Sequence, residues 1–254
     1  MNLITDPLFY AFAVPAVITL GLAKGGFTGI GMVATPLLAL VMPPLQAAAI
    51  LLPIILLQDV VTCWIFRRDW DAWNLKVMLP GAVVGVGLAW LLAAHVSDAV
   101  IRLLVGLIAL GFAINAWWFR NVTPADLPKP SAALGVGAGG LAAFTSTLIQ
   151  IGGPPYFVFV LPQRLPKMLF VGTTCWFFAL VNVMKLAPYL ALGQFSTEGL
   201  ATSAVLFPLA IVTNMIGVWL IRRTPEVLFY RITHFLVFVI GIELTRAGVM
   251  ELLR

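Results

Sequence analysis

The chain reads Leu20-Gly21-Leu22-Ala23-Lys24-Gly25-Gly26-Phe27-Thr28-Gly29-Ile30-Gly31 where an apolar run between residues 8 and 42 is interrupted. This stretch places one ammonium group, that of Lys24, among glycines. Half a chain later, the apolar run of residues 132–161 is interrupted in the same way, at Gln150-Ile151-Gly152-Gly153-Pro154-Pro155. Glycine and proline interruptions at corresponding places in two halves of a membrane protein point to a binding site near the middle of the bilayer.

The composition indicates a membrane protein. Of the 254 residues, 61% are apolar and only 10% are charged, whereas a soluble domain has about 25% charged residues. Several apolar runs reach the roughly 20 residues that cross a bilayer, so we expect an all-α polytopic membrane protein. The net charge of +5 lies in short loops and does not indicate a nucleic-acid partner. Cys63 and Cys175 lie in separate apolar runs, so we expect no disulfide, metal site or cofactor.

Basic residues predict the topology. Ten of the fifteen Lys and Arg residues lie in four joints, at residues 67–76, 120–130, 164–167 and 222–231, and short basic loops stay in the cytoplasm. The chain then starts outside, and each half contains one hairpin and three full spans. Because that number of crossings is odd, the second half is inverted relative to the first.

The predicted repeats are residues 1–122 and 123–254, within a single membrane domain. Each begins with a hairpin whose second arm is short: residues 27–42 would extend roughly 24 Å and residues 154–161 about 12 Å as helices. We therefore expect broken or re-entrant hairpins, although pairs of short full helices remain the alternative.

The first break is predicted to bind an anion. Lys24 lies at the turn, two glycines leave backbone N–H groups exposed, and a helix that starts near Phe27 adds the partial positive charge of its N-terminus. The candidate binding residues are Lys24, Gly25, Gly26, Phe27, Thr28 and Thr35. The alternatives are that Gly29 and Gly31 serve only close packing and that Lys24 extends to an interface.

The second break predicts a second helix N-terminus, because proline is favoured at the first helical position and Pro154 follows two glycines. Its backbone donors are expected from Gly152 and Gly153, with Ser146 and Gln150 as side-chain candidates. Together with Lys24, the two opposed helix starts are expected to hold one anion.

Few other polar groups lie within the spans. Asp59 and Asn182 fall at nearly equivalent places in the two halves. We interpret Asn182 as a further binding residue and Asp59 as either a proton carrier or the counter-ion of Lys24. Lys185 lies in the same apolar run as Asn182 and is interpreted as a buried polar group or, alternatively, as an interfacial side chain. Glu243 and Arg246 are interpreted as a structural pair.

The chain resembles the sulfite exporter TauE/SafE family. The resemblance lies in the glycine-rich stretch at 25–31, Thr35-Pro36-Leu37-Leu38, the second break at 150–155, Val171-Gly172-Thr173-Thr174 and Asn182-Val183-Met184-Lys185. It implies transport of sulfite, organosulfonates or related small anions across a bacterial-type cytoplasmic membrane. The residues themselves favour a secondary carrier with alternating access over a passive anion channel, and the resemblance to an exporter family implies export. An intramembrane enzyme is the third alternative, but the sequence lacks the clustered catalytic groups that such enzymes need. The expected partners are a small anion and the lipid bilayer, and the sequence does not indicate an oligomeric state.

Overall fold

The computed structural model describes residues 4, 6–27, 30–93, 95, 97–118, 131–191 and 193–253, and over these ranges it contains helices and no strand. The ten α-helices of the described residues are α1 (Pro7–Lys24), α2 (Ala34–Leu38), α3 (Pro44–Ile65), α4 (Ala72–Leu92), α5 (Asp98–Trp118), α6 (Ala132–Ile149), α7 (Gly153–Val160), α8 (Lys167–Ala191), α9 (Thr197–Arg223) and α10 (Glu226–Leu252). The predicted all-α fold is confirmed.

Seven helices of the described residues are long and apolar enough to cross a bilayer: α1, α3, α4, α6, α8, α9 and α10. Prolines lie inside several of them, for example Pro53 in α3 and Pro208 in α9. Membrane helices tolerate such prolines because neighbouring groups satisfy the freed carbonyls. The chain is therefore a multi-pass membrane protein.

Both predicted breaks interrupt a helix. The long first arms, α1 and α6, have 18 residues each, whereas the second arms are short: a 3₁₀ turn (Ile30–Val33) followed by α2, and α7 followed by a 3₁₀ turn (Leu161–Gln163). The second arm begins close to the predicted position, because the carbonyl of Phe27 accepts from Ile30 N–H at the start of the 3₁₀ turn, while the N–H of Phe27 still closes the end of α1. The start predicted at Pro154 is confirmed, since α7 begins at Gly153.

The chain packs into two compact units, and each draws on both halves of the sequence. The first unit comprises Met1–Arg68 and Thr174–Thr224, and the second comprises Asp69–Thr173 and Pro225–Arg254. The predicted division at residue 122 separates two topological repeats, which the packing units do not test, so it stays a prediction. The joint between the repeats, residues 121–130, lies outside the described residues.

In the first unit, α1 packs closely against α9. A Cβ atom added at Gly21 would lie 2.0 Å from Thr213 Oγ1, and one at Gly25 would lie 2.4 Å from the backbone of Gly217. Small residues at these positions let the two backbones approach, as in other membrane helix pairs. An apolar core of α1, α2, α3 and α9 side chains surrounds the crossing.

In the second unit, α6 packs against α4 in a similar way. A Cβ atom at Gly81 would lie 1.9 Å from the carbonyl oxygen of Val136, and one at Gly85 would lie 2.1 Å from that of Gly140. Aromatic side chains form another part of the interior of this unit. Phe170 contacts the rings of Phe157 and Phe229, and all three side chains are fully buried.

Candidate functional site

The backbone of the first break closes the end of α1. Gly25 N–H donates to the carbonyl of Gly21, Gly26 N–H to that of Ala23, and Phe27 N–H to that of Leu22. These are bonds that satisfy the last carbonyls of a helix. The prediction that Gly25 and Gly26 offer exposed backbone donors is therefore wrong, because the same N–H groups cap the preceding helix.

Gly26 has a second structural task. Its φ is +143°, a backbone conformation that only glycine adopts readily. A Cβ atom there would also lie 2.7 Å from Ile221 of α9. Gly25 and Gly26 thus let the chain turn at the end of α1 and pack against α9. The close-packing alternative for Gly31 agrees with the structure, since a Cβ atom there would lie 2.7 Å from the Cβ of Ala23, and Gly29 lies outside the described residues.

Lys24, at the end of α1, extends its ammonium group to α3. Its Nζ lies 2.5 Å from Oδ1 of Asp59, and the two side chains are only 14% and 4% exposed. The α1 end favours a cation, because the helix dipole is negative there. Asp59 lies in the last third of α3. The counter-ion interpretation of Asp59 agrees with this ion pair, and its role as a proton carrier stays a prediction.

Two residues of α8 extend the ion pair into a chain of hydrogen bonds. Asn182 donates through Nδ2 to Oδ2 of Asp59 at 2.7 Å, and Lys185 donates through Nζ to Oδ1 of Asn182 at 3.0 Å. Lys185 is completely buried, so the interfacial alternative for it is wrong. We call Lys24, Asp59, Asn182 and Lys185 the charged network; all four belong to the first unit.

Two neutral amides lie next to the charged network in the first unit. Gln58 donates to the carbonyl of Ala210, and Asn214 donates to the carbonyl of Gln58. Both side chains are completely buried, and their oxygens, Gln58 Oε1 and Asn214 Oδ1, have no hydrogen-bond partner among the described residues. These amides join α3 to α9 at the residue that precedes Asp59 in the chain.

The second break lies in the second unit and is also buried. Gln150 follows the last residue of α6, and its φ of 58° lies in the left-handed region of backbone conformation. Pro154 and Pro155 occupy the first turn of α7 and have no N–H. Because Tyr156 N–H already donates to the carbonyl of Gly152, the donors of this helix start are the N–H groups of Gly152 and Gly153.

A model of the sulfite exporter TauE/SafE family matches residues 13–244, nearly the whole chain. The chain belongs to the TauE/SafE family. No curated protein and no solved structure matches it. TauE/SafE proteins are membrane transporters of sulfur-containing anions, so the membrane and transport predictions are confirmed. The buried polar groups of this TauE/SafE protein are the candidates for its binding site.

Three of the residues predicted from the sequence meet in the charged network: Lys24, Asp59 and Asn182. Thr35 lies in α2, and its side chain has no hydrogen bond to the network among the described contacts. Thr28 lies outside the described residues. The second-break residues belong to the other unit, so their place in the same site stays a prediction; they are Ser146, Gln150, Gly152 and Gly153.

Sequence reasoning missed Lys185 as a site residue. The signal was present, because Lys185 follows Asn182 by three positions, and residues at that spacing share one face of a helix. In this TauE/SafE protein the network therefore joins two lysines, one aspartate and one asparagine in a single chain of hydrogen bonds.

Proposed function

We propose that this chain is a secondary carrier that exports small sulfur-containing anions, sulfite or organosulfonates, across a bacterial-type cytoplasmic membrane with its N-terminus outside. The observation that carries the proposal is the charged network, buried between α1, α3 and α8. Charged side chains within membrane spans are rare because their insertion is costly. A buried set of two lysines and one aspartate is such an arrangement, and an anionic substrate would compensate part of its cost.

The donors of the network suit an oxyanion. The Lys24 ammonium and the Asn182 amide both donate to the carboxylate of Asp59. A sulfonate or sulfite group offers several acceptor oxygens around one sulfur atom, and charged donors form the stronger hydrogen bonds with such groups. The substrate would thus use the same donors that Asp59 uses in the described conformation.

Asp59 acts in this proposal as an internal anion that competes with the substrate. When Asp59 is ionised, it accepts from both Lys24 and Asn182. When it takes up a proton, its attraction for the ammonium group disappears and both donors become available. Protonation of Asp59 and binding of an anion would therefore favour one another, which couples substrate movement to a proton.

Alternating access requires two related halves, and the packing within the units supports this part of the proposal. The first arm of each hairpin packs on the second full helix that follows the other hairpin: α1 on α9, and α6 on α4. Both contacts are made through glycines. Such an exchange is what an inverted repeat with pseudo-twofold symmetry produces.

Replacement of Lys24 by Gln tests the proposal. We expect binding of sulfite to the purified protein, measured by isothermal titration, to weaken by at least about tenfold, which corresponds to roughly 1.4 kcal/mol. Lys76→Gln is the matched control, because Lys76 is exposed in the second unit. Unchanged affinity of the Lys24→Gln variant would refute the role of the network.

A passive anion channel is the second candidate, because a buried positive charge also favours anion permeation. Flux into proteoliposomes separates the two. A carrier coupled through Asp59 accumulates the anion when a pH gradient is imposed, and Asp59→Asn abolishes that dependence. A channel conducts down the anion gradient alone, and the substitution changes only the rate.

A further inference from the structure

We infer that the ends of α3 and α9 bind the phosphate headgroup of an anionic phospholipid. The surface consists of six residues of the first unit, which we call the Trp–Arg patch: Trp64, Arg67, Arg68, Trp219, Arg222 and Arg223. This inference goes beyond the proposed function, because it concerns the contact of the protein with the membrane and not the transported solute.

Each half of the patch stacks an arginine on a tryptophan. The Cζ atom of Arg67 lies 4.7 Å from the ring centroid of Trp64. The Cζ atom of Arg223 lies 4.3 Å from the ring centroid of Trp219. A guanidinium group within about 6 Å of an indole ring is attracted to the face of the ring. Both tryptophans remain exposed, at 70% and 52%, so each pair presents a ring and a positive charge at the protein surface.

The two Trp–Arg pairs lie at the same level, because α3 and α9 pack side by side and run in the same direction. Three hydrogen bonds join these helices, and their partners are 152, 153 and 156 positions apart in the chain. Trp64 and Trp219 are 155 positions apart. Arg67 and Arg223 are 156 positions apart. The spacing that relates neighbouring residues of the two helices therefore also relates the two pairs.

The patch lies at the end of two exposed apolar faces. On α3, the exposed Val60 precedes Trp64 by four residues. On α9, the exposed Val212 and Ile216 precede Trp219. Residues three or four apart lie on one face of a helix. In a membrane protein, tryptophans concentrate at the boundary between acyl chains and headgroups, so the arginines that follow these tryptophans are placed at the level of the headgroups.

The patch carries a positive charge that the carboxylates of the first unit do not neutralise. None of the ion pairs among the described residues includes Arg68, Arg222 or Arg223. The two joints that contain the arginines, residues 67–76 and 222–231, have six basic and three acidic residues. The carboxylates of the first unit lie elsewhere, at the starts of α1 and α9 and in the charged network: Asp6, Glu198 and Asp59.

An anionic phospholipid fits this combination of groups better than a soluble anion does. Guanidinium groups donate paired hydrogen bonds to the oxygens of a phosphate, and anionic lipids attract basic residues next to membrane spans. The acyl chains of a lipid would also cover the apolar faces that end at Trp64 and Trp219. A soluble anion would gain only the contact with the arginines.

The thermal stability of the whole chain in lipid nanodiscs tests this inference. Replacing part of the phosphatidylcholine with phosphatidylglycerol should raise Tm by at least about 3 °C, because a lipid that binds only the folded protein stabilises it. The rise should shrink between about 0.1 and 1 M NaCl, since the Debye length falls from about 10 to 3 Å. Inorganic phosphate added to phosphatidylcholine discs is the soluble probe and should leave Tm unchanged.

Paired substitutions locate the effect. Arg67→Gln combined with Arg223→Gln removes the two stacked charges and should abolish at least about half of the Tm rise that phosphatidylglycerol causes. Lys76→Gln combined with Arg231→Gln is the matched control, because it removes the same number of charges from exposed side chains of the second unit; it should keep the rise. The Tm of each variant in phosphatidylcholine alone verifies that it is folded, and the single arginine substitutions provide a milder version of the same test.

The outcomes are distinct. Equal Tm of the wild type in both lipid compositions overturns the inference, as does a rise with inorganic phosphate as large as that with phosphatidylglycerol. A rise that persists in the arginine variants, or that the control variant loses equally, shows that the patch is not a specific site and also overturns it. None of these experiments measures sulfite binding, so their outcome is independent of the proposed function.

Discussion

The two units bury different kinds of side chains although each contains one interrupted hairpin. The first unit buries the ionisable groups Asp59 and Lys185 and the amides of Gln58, Asn182 and Asn214. In the second unit, none of the described charged side chains is buried, and the interior combines glycine contacts, aromatic and aliphatic side chains and the neutral amide of Asn74. Similar hairpins therefore lie in units that differ in the ionisable side chains they bury.

The strongest test of this contrast is a larger side chain at the α4–α6 contact. We expect Gly85→Val to prevent folding, because a Cβ atom there would lie 2.1 Å from a backbone oxygen that cannot move away. Gly87→Val is the control in the same helix, since nothing lies within 4 Å of its Cβ position. Yield and size-exclusion profile of the two variants measure the difference. Equal profiles would contradict the packing role.

The ion pair of the first unit should give the next largest effect. Lys24→Met leaves the carboxylate of Asp59 buried without its ammonium partner, and breaking a buried pair costs about 3–5 kcal/mol. We expect a clear fall in Tm in detergent. Adding Asp59→Leu should recover most of the loss, and a double variant as unstable as the single one would show that the pair is not the cause.

A polar contact of the second unit should matter less. Asn74 and Gln163 exchange hydrogen bonds through their amides at 2.9 and 2.8 Å. Asn74→Leu leaves the Gln163 amide without this partner, and we expect a loss of about 1–3 kcal/mol in the free energy of unfolding. In a double-mutant cycle, Asn74→Leu with Gln163→Leu should cost less than the sum of the single variants. Additive losses would indicate that the two amides are not coupled.

The smallest effect is expected at the surface of the second unit. Glu243 and Arg246 form a bidentate pair at 2.6 and 2.9 Å, which confirms the predicted structural pair, but both side chains are more than half exposed. Exposed pairs contribute little, so Glu243→Gln should leave Tm unchanged within error. A fall in Tm as large as that of Lys24→Met would contradict the expected difference between the buried ion pair of the first unit and the exposed pair of the second.

Much of the fold was predictable because apolar length and glycine or proline interruptions determine where membrane helices begin and end. Pro154 indicated the start of α7 within one residue. The packing of α1 on α9 was not predictable, since the two helices are distant in sequence and the glycines that join them also fit a binding loop. Whether Gly25 N–H is a free donor for an anion or caps the end of α1 depended on which carbonyl it reaches in the fold.

The site was predictable in part for a similar reason. A buried charge is rare in a membrane helix, so Lys24 and Asp59 stood out in the sequence, and Asn182 followed from its equivalent place in the second half. Lys185 was missed because its distance from the end of a span fitted an interfacial side chain, and sequence does not show how far a helix extends beyond its neighbours.

The Lys24–Asp59 pair also has a consequence for synthesis on the ribosome. α1 is translated early, but its packing partner α9 ends only at Arg223, so α1 remains in lipid without that partner for most of translation. Asp59 follows Lys24 by 35 positions and supplies an opposite charge long before the later helices emerge. The nascent chain can thus neutralise its first buried ammonium group during insertion, before the rest of the transporter exists.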